Sequence, residues 1–264
     1  MCFKSKPISW EYSSRVALLF GSNYPGTDHE LNGCLNDLAN VQRKLEPLGF
    51  QIRKITNNAV TRKRLKAEIA FAFAHALPGD VIYLHFSGHG TQVRDKNGDE
   101  IDGYDEALYL TDGVFTDDEF NALLKTIPVG VHVFVGLDCC FSGTATRCVA
   151  CTPRFVPPKN IDKIRQIRVK PVISPAVASL KGVIVISGCE EYQTSADACI
   201  NDVWQGAFTF YLMHTFEISL TYIKWFEKLR LYLPNKNFDQ RPTIDGDETL
   251  FNNIVFTNNQ DYAT

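Results

Sequence analysis

Two stretches of the chain hold side chains suited to nucleophilic catalysis: His89 in LHFSGHGTQ, and Cys139 or Cys140 in VGLDCCFSGTA. Each is a run of apolar residues ending abruptly in small polar ones, the pattern of a buried strand that opens into a glycine-bearing turn. A thiol is a useful nucleophile only as thiolate, and a neighbouring imidazole raises that fraction by taking the proton or stabilising the anion. The same imidazole can then protonate a leaving amine. Such a pair suits acyl transfer, which also needs N–H donors for a developing oxyanion. Gly88 and Gly90 beside the histidine, with Ser142 and Gly143 after the thiols, leave the backbone open to close approach. The competing reading is a core or turn role, the commoner one for a histidine or cysteine alone. Two of them, each closing a strand pattern beside glycine, favour catalysis.

Elements distant in sequence must bring these residues together. RVALLFGSN (15–23) reads as a buried strand, followed by Leu35, Leu38, Val41, Leu45 and Leu48 on one helical face that stops near Gly49. QIRKITN is a strand pattern, and TRKRLKAEIAFAFAHAL a helix opened by Thr61 and closed by Pro78 and Gly79. DVIYLHFS is the third strand. After a short ALYLTD strand, Thr116 and Glu119 form a capping box that starts the helix DDEFNALLKTI. VHVFVGLD (131–138) and KGVIVISG (181–188) are further strands, and GAFTFYLMHTFEI and YIKWFEKLRLYL two C-terminal helical patterns. Strands alternating with helices predict a mainly parallel sheet covered on both faces. Ligands of such sheets bind at the carboxyl ends of the strands, where His89 and Cys140 both fall.

With 264 residues and 45% hydrophobic composition, the chain can fill a substantial core. A formal net charge of -3 gives no general reason to expect nucleic-acid or anionic-membrane binding. No apolar run approaches a bilayer span, and MCFKSKPISW lacks the core of a secretory signal, so a cytosolic location is expected. The eight cysteines are irregularly spaced and several lie in strand-like runs, which favours free thiols. Cys148 and Cys151 form one CVAC pair without a second, too little for a zinc site.

The blocks HFSGHGTQ, GDEIDGYDEALYLTD, TDDE, DCCFSG and SGCEEYQTSAD, in that order after LFGSNYPGTDHELNGCLND, resemble the metacaspases, caspase-like cysteine peptidases, over residues 14–215. The resemblance implies one peptidase domain over 1–264 with a caspase-like three-layer α/β/α sandwich around a mainly parallel sheet. It implies hydrolysis of protein or peptide substrates after Arg or Lys by a His/Cys dyad, in a monomer. His89 then matches the general base and acid, Cys140 the nucleophile, and Cys139 the motif's variable position. Neighbours in an extended chain face opposite ways, so one thiol meets the imidazole and Cys139 is expected to pack inside. Gly90 and Cys140 are the expected oxyanion donors. Asp37 and Asp138 match the acidic positions of the substrate pocket, with Cys34 and Ser87 lining it. Asp37 alone could be a solvated first-turn helix residue, whereas Asp138 follows an apolar strand where an unpaired carboxylate is costly. An interaction module of the same fold without catalysis is the alternative function, disfavoured because both dyad residues are present.

Calcium is the metal the resemblance brings in, through Asp105, Asp117 and Asp118, but Arg147 stands where a fourth carboxylate is expected. A cation there repels Ca²⁺, so a weak or absent requirement is expected and no cofactor is taken as required. The acidic run from Asp95 to Glu106 is no EF-hand, since Glu100 occupies the position of the turn glycine. Residues 144–181 carry eight Lys or Arg (Arg154 among them) against one Asp and have no clear periodicity. They read as a basic flexible loop, a candidate for self-cleavage or gating in an enzyme that cuts after basic residues. An aromatic-poor basic arm of this kind is a weak nucleic-acid binder.

Overall fold

The structure, a computed structural model, describes residues 10–94, 104–141, 151–157, 180–190 and 193–257. Its centre is a six-stranded sheet of β1 (Arg15–Gly21), β2 (Gln51–Thr56), β3 (Val81–Ser87), β7 (His132–Asp138), β9 (Val183–Ser187) and β12 (Thr243–Gly246), in the order β12-β9-β7-β3-β1-β2. All neighbours are parallel except β12, which runs antiparallel to β9. The long apolar runs become strands buried on both faces, as parallel strands are.

Alternate residues of these strands feed two cores. Val16, Leu18, Ile82, Leu84, Val133 and Val135 pack against α2 (Arg62–His75) and α3 (Asp117–Leu124). Ala17, Leu19, Tyr83, Phe134, Ile184 and Ile186 face α1 (Cys34–Leu45), α4 (Ala207–Thr215) and α5 (Tyr222–Arg230). The result is the three-layer α/β/α sandwich that the alternation of patterns predicted. Thr116 caps α3 in the expected capping box with Glu119. Among the described residues no helix is long and apolar enough to cross a membrane.

Two small antiparallel sheets sit at the carboxyl end of the large one. One joins β4 (Gly90–Arg94), β5 (Tyr104–Leu110) and β6 (Gly113–Thr116); the other joins β8 (Cys151–Pro153), β10 (Ala196–Ile200) and β11 (Val203–Gly206) in the order β11-β10-β8. Strand β8 lies inside the stretch read as a loop, so 151–157 of that stretch is built structure. Its remainder up to residue 179, with Arg147, lies outside the described residues. The expectation of free thiols changes at one position. Cys151 is disulfide-bonded, while Cys34, Cys139, Cys140, Cys189 and Cys199 are free. The carboxyl-terminal segment buries Val255 and Phe256 in the core beside α5.

Candidate active site

Register brings the two catalytic candidates side by side. Ser87 on β3 pairs with Asp138 on the adjacent parallel β7, and the Gly88 N–H extends the ladder to the Asp138 carbonyl at 3.2 Å. His89 and Cys140 are each two residues beyond that pair. Glycine is required where the two turns meet: a Cβ on Gly90 would stand 1.9 Å from the Cys140 carbonyl oxygen. The adjacent thiols do face opposite ways, Cys139 into the core beneath α2 and α3, Cys140 against Phe155 and Cys189.

His89 is buried and fixed from three sides. Its N–H donates to the Tyr24 hydroxyl at 3.0 Å, and that hydroxyl donates to the Tyr109 carbonyl at 2.6 Å. The rings of Tyr24 and His89 lie 4.9 Å apart, centroid to centroid. Nε2 lies 2.8 Å from the His29 carbonyl oxygen, which can only accept, so the neutral ring carries its proton there. Nδ1 is left with a free lone pair and no hydrogen-bond partner. Burial pushes the imidazole down to about 4 and the Cys140 thiol up. Both groups are therefore neutral in this closed site. The Cys140 thiol donates to the Ser195 carbonyl at 3.3 Å and also accepts from the Ser195 N–H, so thiol and imidazole are not hydrogen-bonded to each other.

Nearby, three carboxylates, Asp37, Asp138 and Asp197, enclose the guanidinium of Arg154, and all four side chains have no exposed surface. Nη2 of Arg154 is 2.7 Å from Asp37 Oδ2 and 2.9 Å from Asp197 Oδ1; Nη1 is 2.9 Å from Ser87 Oγ and 3.2 Å from Asp138 Oδ1. Buried carboxylates are tolerable only when paired and hydrogen-bonded, and here helix N-termini supply the rest. Asp37 accepts from the Gly206 N–H and Asp138 from the Thr209 N–H and hydroxyl at the start of α4. Asp197 accepts from the Asn32 and Gly33 N–H groups at the start of α1. These free N–H groups would otherwise be unsatisfied. Burial, against the pull of Arg154, moves the Asp37 carboxyl up to about 7. One guanidinium among three carboxylates leaves an excess of negative charge that a proton on Asp37 relieves. Ser87 also donates to Asp37 Oδ2 at 2.7 Å. Cys34, at the start of α1, is near enough to feel the Arg154 charge, and burial holds its thiol up at about 12.

The main chain of Arg154 is held as well. Its carbonyl oxygen accepts from the Gly90 N–H at 3.0 Å and the Cys140 N–H at 3.1 Å, the two donors expected for an oxyanion. Sequence reasoning missed Asp197 and Ser195, Tyr24 and His29 around His89, and the placement of Arg154 itself, which it left in a basic loop. A signal for Asp197 existed: it lies in the block SGCEEYQTSAD. The carboxylates tied to calcium lie apart from this pocket, Asp105 on β5 and Asp117 and Asp118 in the first turn of α3. Each has partners, and among the described residues no group of three or more His, Cys, Asp or Glu could hold a metal ion. The described residues do not fit a calcium ion.

The caspase-domain family pattern matches residues 14–251. Metacaspase-1 of Schizosaccharomyces pombe is 29% identical, the match covering 94% of this chain and 72% of that protein. Metacaspase-2 of Arabidopsis thaliana is 31% identical over 78% of this chain and 53% of its own length. A Geobacter sulfurreducens protein of known crystal structure superposes with a TM-score of 0.71 at 27% identity, covering 92% of this chain and 99% of that one. Caspase-1 of Spodoptera frugiperda, at 13% identity and a TM-score of 0.59 over 92% of this chain and 93% of its own, is alike in fold. The chain belongs to the caspase-domain family of cysteine peptidases, with metacaspases among its relatives.

Proposed function

We propose that the protein is an endopeptidase that hydrolyses peptide bonds after Arg or Lys. Cys140 is the nucleophile and His89 Nδ1 the base that takes its proton and later protonates the leaving amine. Gly90 and Cys140 N–H groups stabilise the tetrahedral oxyanion, while Asp37, Asp138 and Asp197, with Ser87, receive the substrate's cationic side chain. The guanidinium held among three buried carboxylates carries this reading, because a pocket of that charge rejects apolar and acidic side chains and rewards a cation stripped of water. The enzyme works as a cytosolic monomer, and basic residues of its own 144–181 stretch are candidates for self-processing.

The test uses fluorogenic peptides ending in Arg, Lys, Gln or Asp, with calcium or with chelator. Arg and Lys peptides are expected to turn over at least a hundredfold faster than the others, with no more than a few-fold response to calcium and no turnover by Cys140→Ala. Equal cleavage by Cys140→Ala, or no discrimination among the peptides, would overturn the proposal, and no turnover at all would favour the interaction module.

A further inference from the structure

A second free sulfur stands against Cys140. Strands β7 and β9 are parallel neighbours with Leu137 opposite Ser187, and the ladder continues past the end of β9, where the Gly188 N–H donates to the Leu137 carbonyl at 2.9 Å. Cys140 lies three residues beyond one member of that pair and Cys189 two beyond the other. Neighbouring strands are about 4.8 Å apart, inside the roughly 4.4–6.8 Å between Cα atoms that a disulfide spans. Cys189 Sγ is 3.6 Å from the Cys139 carbonyl oxygen, and the residue packs in one buried cluster with Cys140 and Phe155. The two thiols also share a hydrogen bond, which after burial is the strongest influence holding the Cys140 thiol up. Cys139 points the other way, into the core beneath α2 and α3. Peptide hydrolysis as proposed gives Cys189 no part.

We infer that Cys189 is a resolving cysteine: once a hydroperoxide has oxidised Cys140, it closes a Cys140–Cys189 disulfide that stops peptide hydrolysis until a dithiol reduces it. The inference rests on the role proposed for Cys140 and adds a covalent modification of that site. Both sulfurs are buried, so the species oxidised is the thiolate that His89 makes when the cleft opens, the same one that attacks a peptide. With its proton on His89 Nδ1, Cys140 Sγ attacks one oxygen of the hydroperoxide and takes it as a hydroxyl. The O–O bond breaks, and the departing alkoxide or hydroxide takes the proton from His89. Cys189 Sγ then attacks the Cys140 sulfur, the S–O bond breaks, and the Cys189 proton leaves with the hydroxyl as water. The two sulfurs have lost two electrons to the hydroperoxide, which is reduced to an alcohol or water. Without a second thiol in reach, the sulfenic acid goes on to sulfinic and sulfonic acids, which a dithiol does not reduce.

The test treats the full chain with hydrogen peroxide, maps its peptides without reduction, and follows hydrolysis of an Arg peptide before and after dithiothreitol, beside protein given dithiothreitol alone. The parent is expected to lose hydrolysis at least tenfold and to recover it with dithiothreitol, in step with a Cys140–Cys189 cross-linked peptide that is two hydrogens lighter. Cys139→Ser behaves as the parent does, which separates the adjacent thiols. Cys189→Ser hydrolyses the peptide within a few-fold of the parent beforehand, but the same dose of peroxide leaves it inactive after dithiothreitol, with added oxygen on Cys140. Recovery of Cys189→Ser equal to the parent's, or a parent in which no bond joins these two residues, overturns the inference and leaves the proposed function standing. A parent with no hydrolysis before peroxide, or with full hydrolysis once the bond has formed, overturns the role given to Cys140 and the inference with it. Cys189→Ala gives the same reading if Cys189→Ser does not fold.

Discussion

At the scale of single residues, the acidic pocket is made of groups that do two jobs. Asp37, Asp138 and Asp197 each accept backbone N–H groups from a helix start and each still presents an oxygen to the guanidinium. Asp197 is the one absent from the sequence-based expectation, and its contribution can be isolated. Asp197→Asn removes a charged acceptor 2.9 Å from Arg154 Nη2 while an amide oxygen can still take an N–H bond from the start of α1. Hydrogen bonds to charged groups contribute about 1.5–3 kcal/mol. The variant's kcat/KM for Arg peptides is therefore expected to fall roughly 10- to 100-fold, mostly through KM, in steady-state kinetics. An unchanged KM would mean that Asp197 serves only the start of α1.

At the scale of elements, five of the six strands of the large sheet were legible, whereas β12 and, apart from β5, the strands of the small sheets were not. Runs such as VIYLHFS and VHVFVGLD announce buried strands, and the Ser87–Asp138 register then sets His89 beside Cys140. Strand β8 has three residues and owes its conformation to pairing with β10, so no periodicity within it could reveal it. Arg154, read as one of many loop cations, is fixed by carboxylates from α1, β7 and β10, which no local window contains. The junction of β11 and α4 was equally hidden, and it shapes the pocket. A Cβ on Gly206 would lie 2.1 Å from Asp138 Oδ2 and 2.6 Å from Arg154 Nη1, although its φ of -71° suits any residue. Gly206→Ala therefore costs space and not backbone strain. Because the methyl meets the guanidinium fork itself, and a lysine ammonium has no fork, hydrolysis of Arg peptides is expected to fall more than that of Lys peptides, by tenfold or more in the ratio of kcat/KM. A ratio equal to the parent's would show that the cation enters from another side.

At the scale of the whole molecule, the fold buries three neutral imidazoles, and stability should report them. Burial holds His85, in contact with Thr209 of α4, His89 in the site, and His132, hydrogen-bonded to Tyr222 of α5, each down at about 4. In the unfolded chain a histidine titrates near 6.5. Between pH 6.5 and 4 the unfolded state thus binds protons that the native state refuses, and stability present above 6.5 is lost as pH falls through that window. Asp37, up at about 7 in the fold, acts in the opposite sense. Its native proton stabilises below its unfolded value near 3.8, and that contribution fades as pH rises through 7. Each shift is worth on the order of 2 kcal/mol between pH 7 and 5, and three losses outweigh one gain. The intact Cys140→Ala protein, free of any change in cleavage, is therefore expected to unfold at lower urea at pH 5 than at pH 7. His132→Gln, which cannot titrate, should show a smaller pH-dependent drop than that protein. A midpoint that holds steady or rises on acidification would mean that Asp37 dominates and that the buried rings accept protons in place.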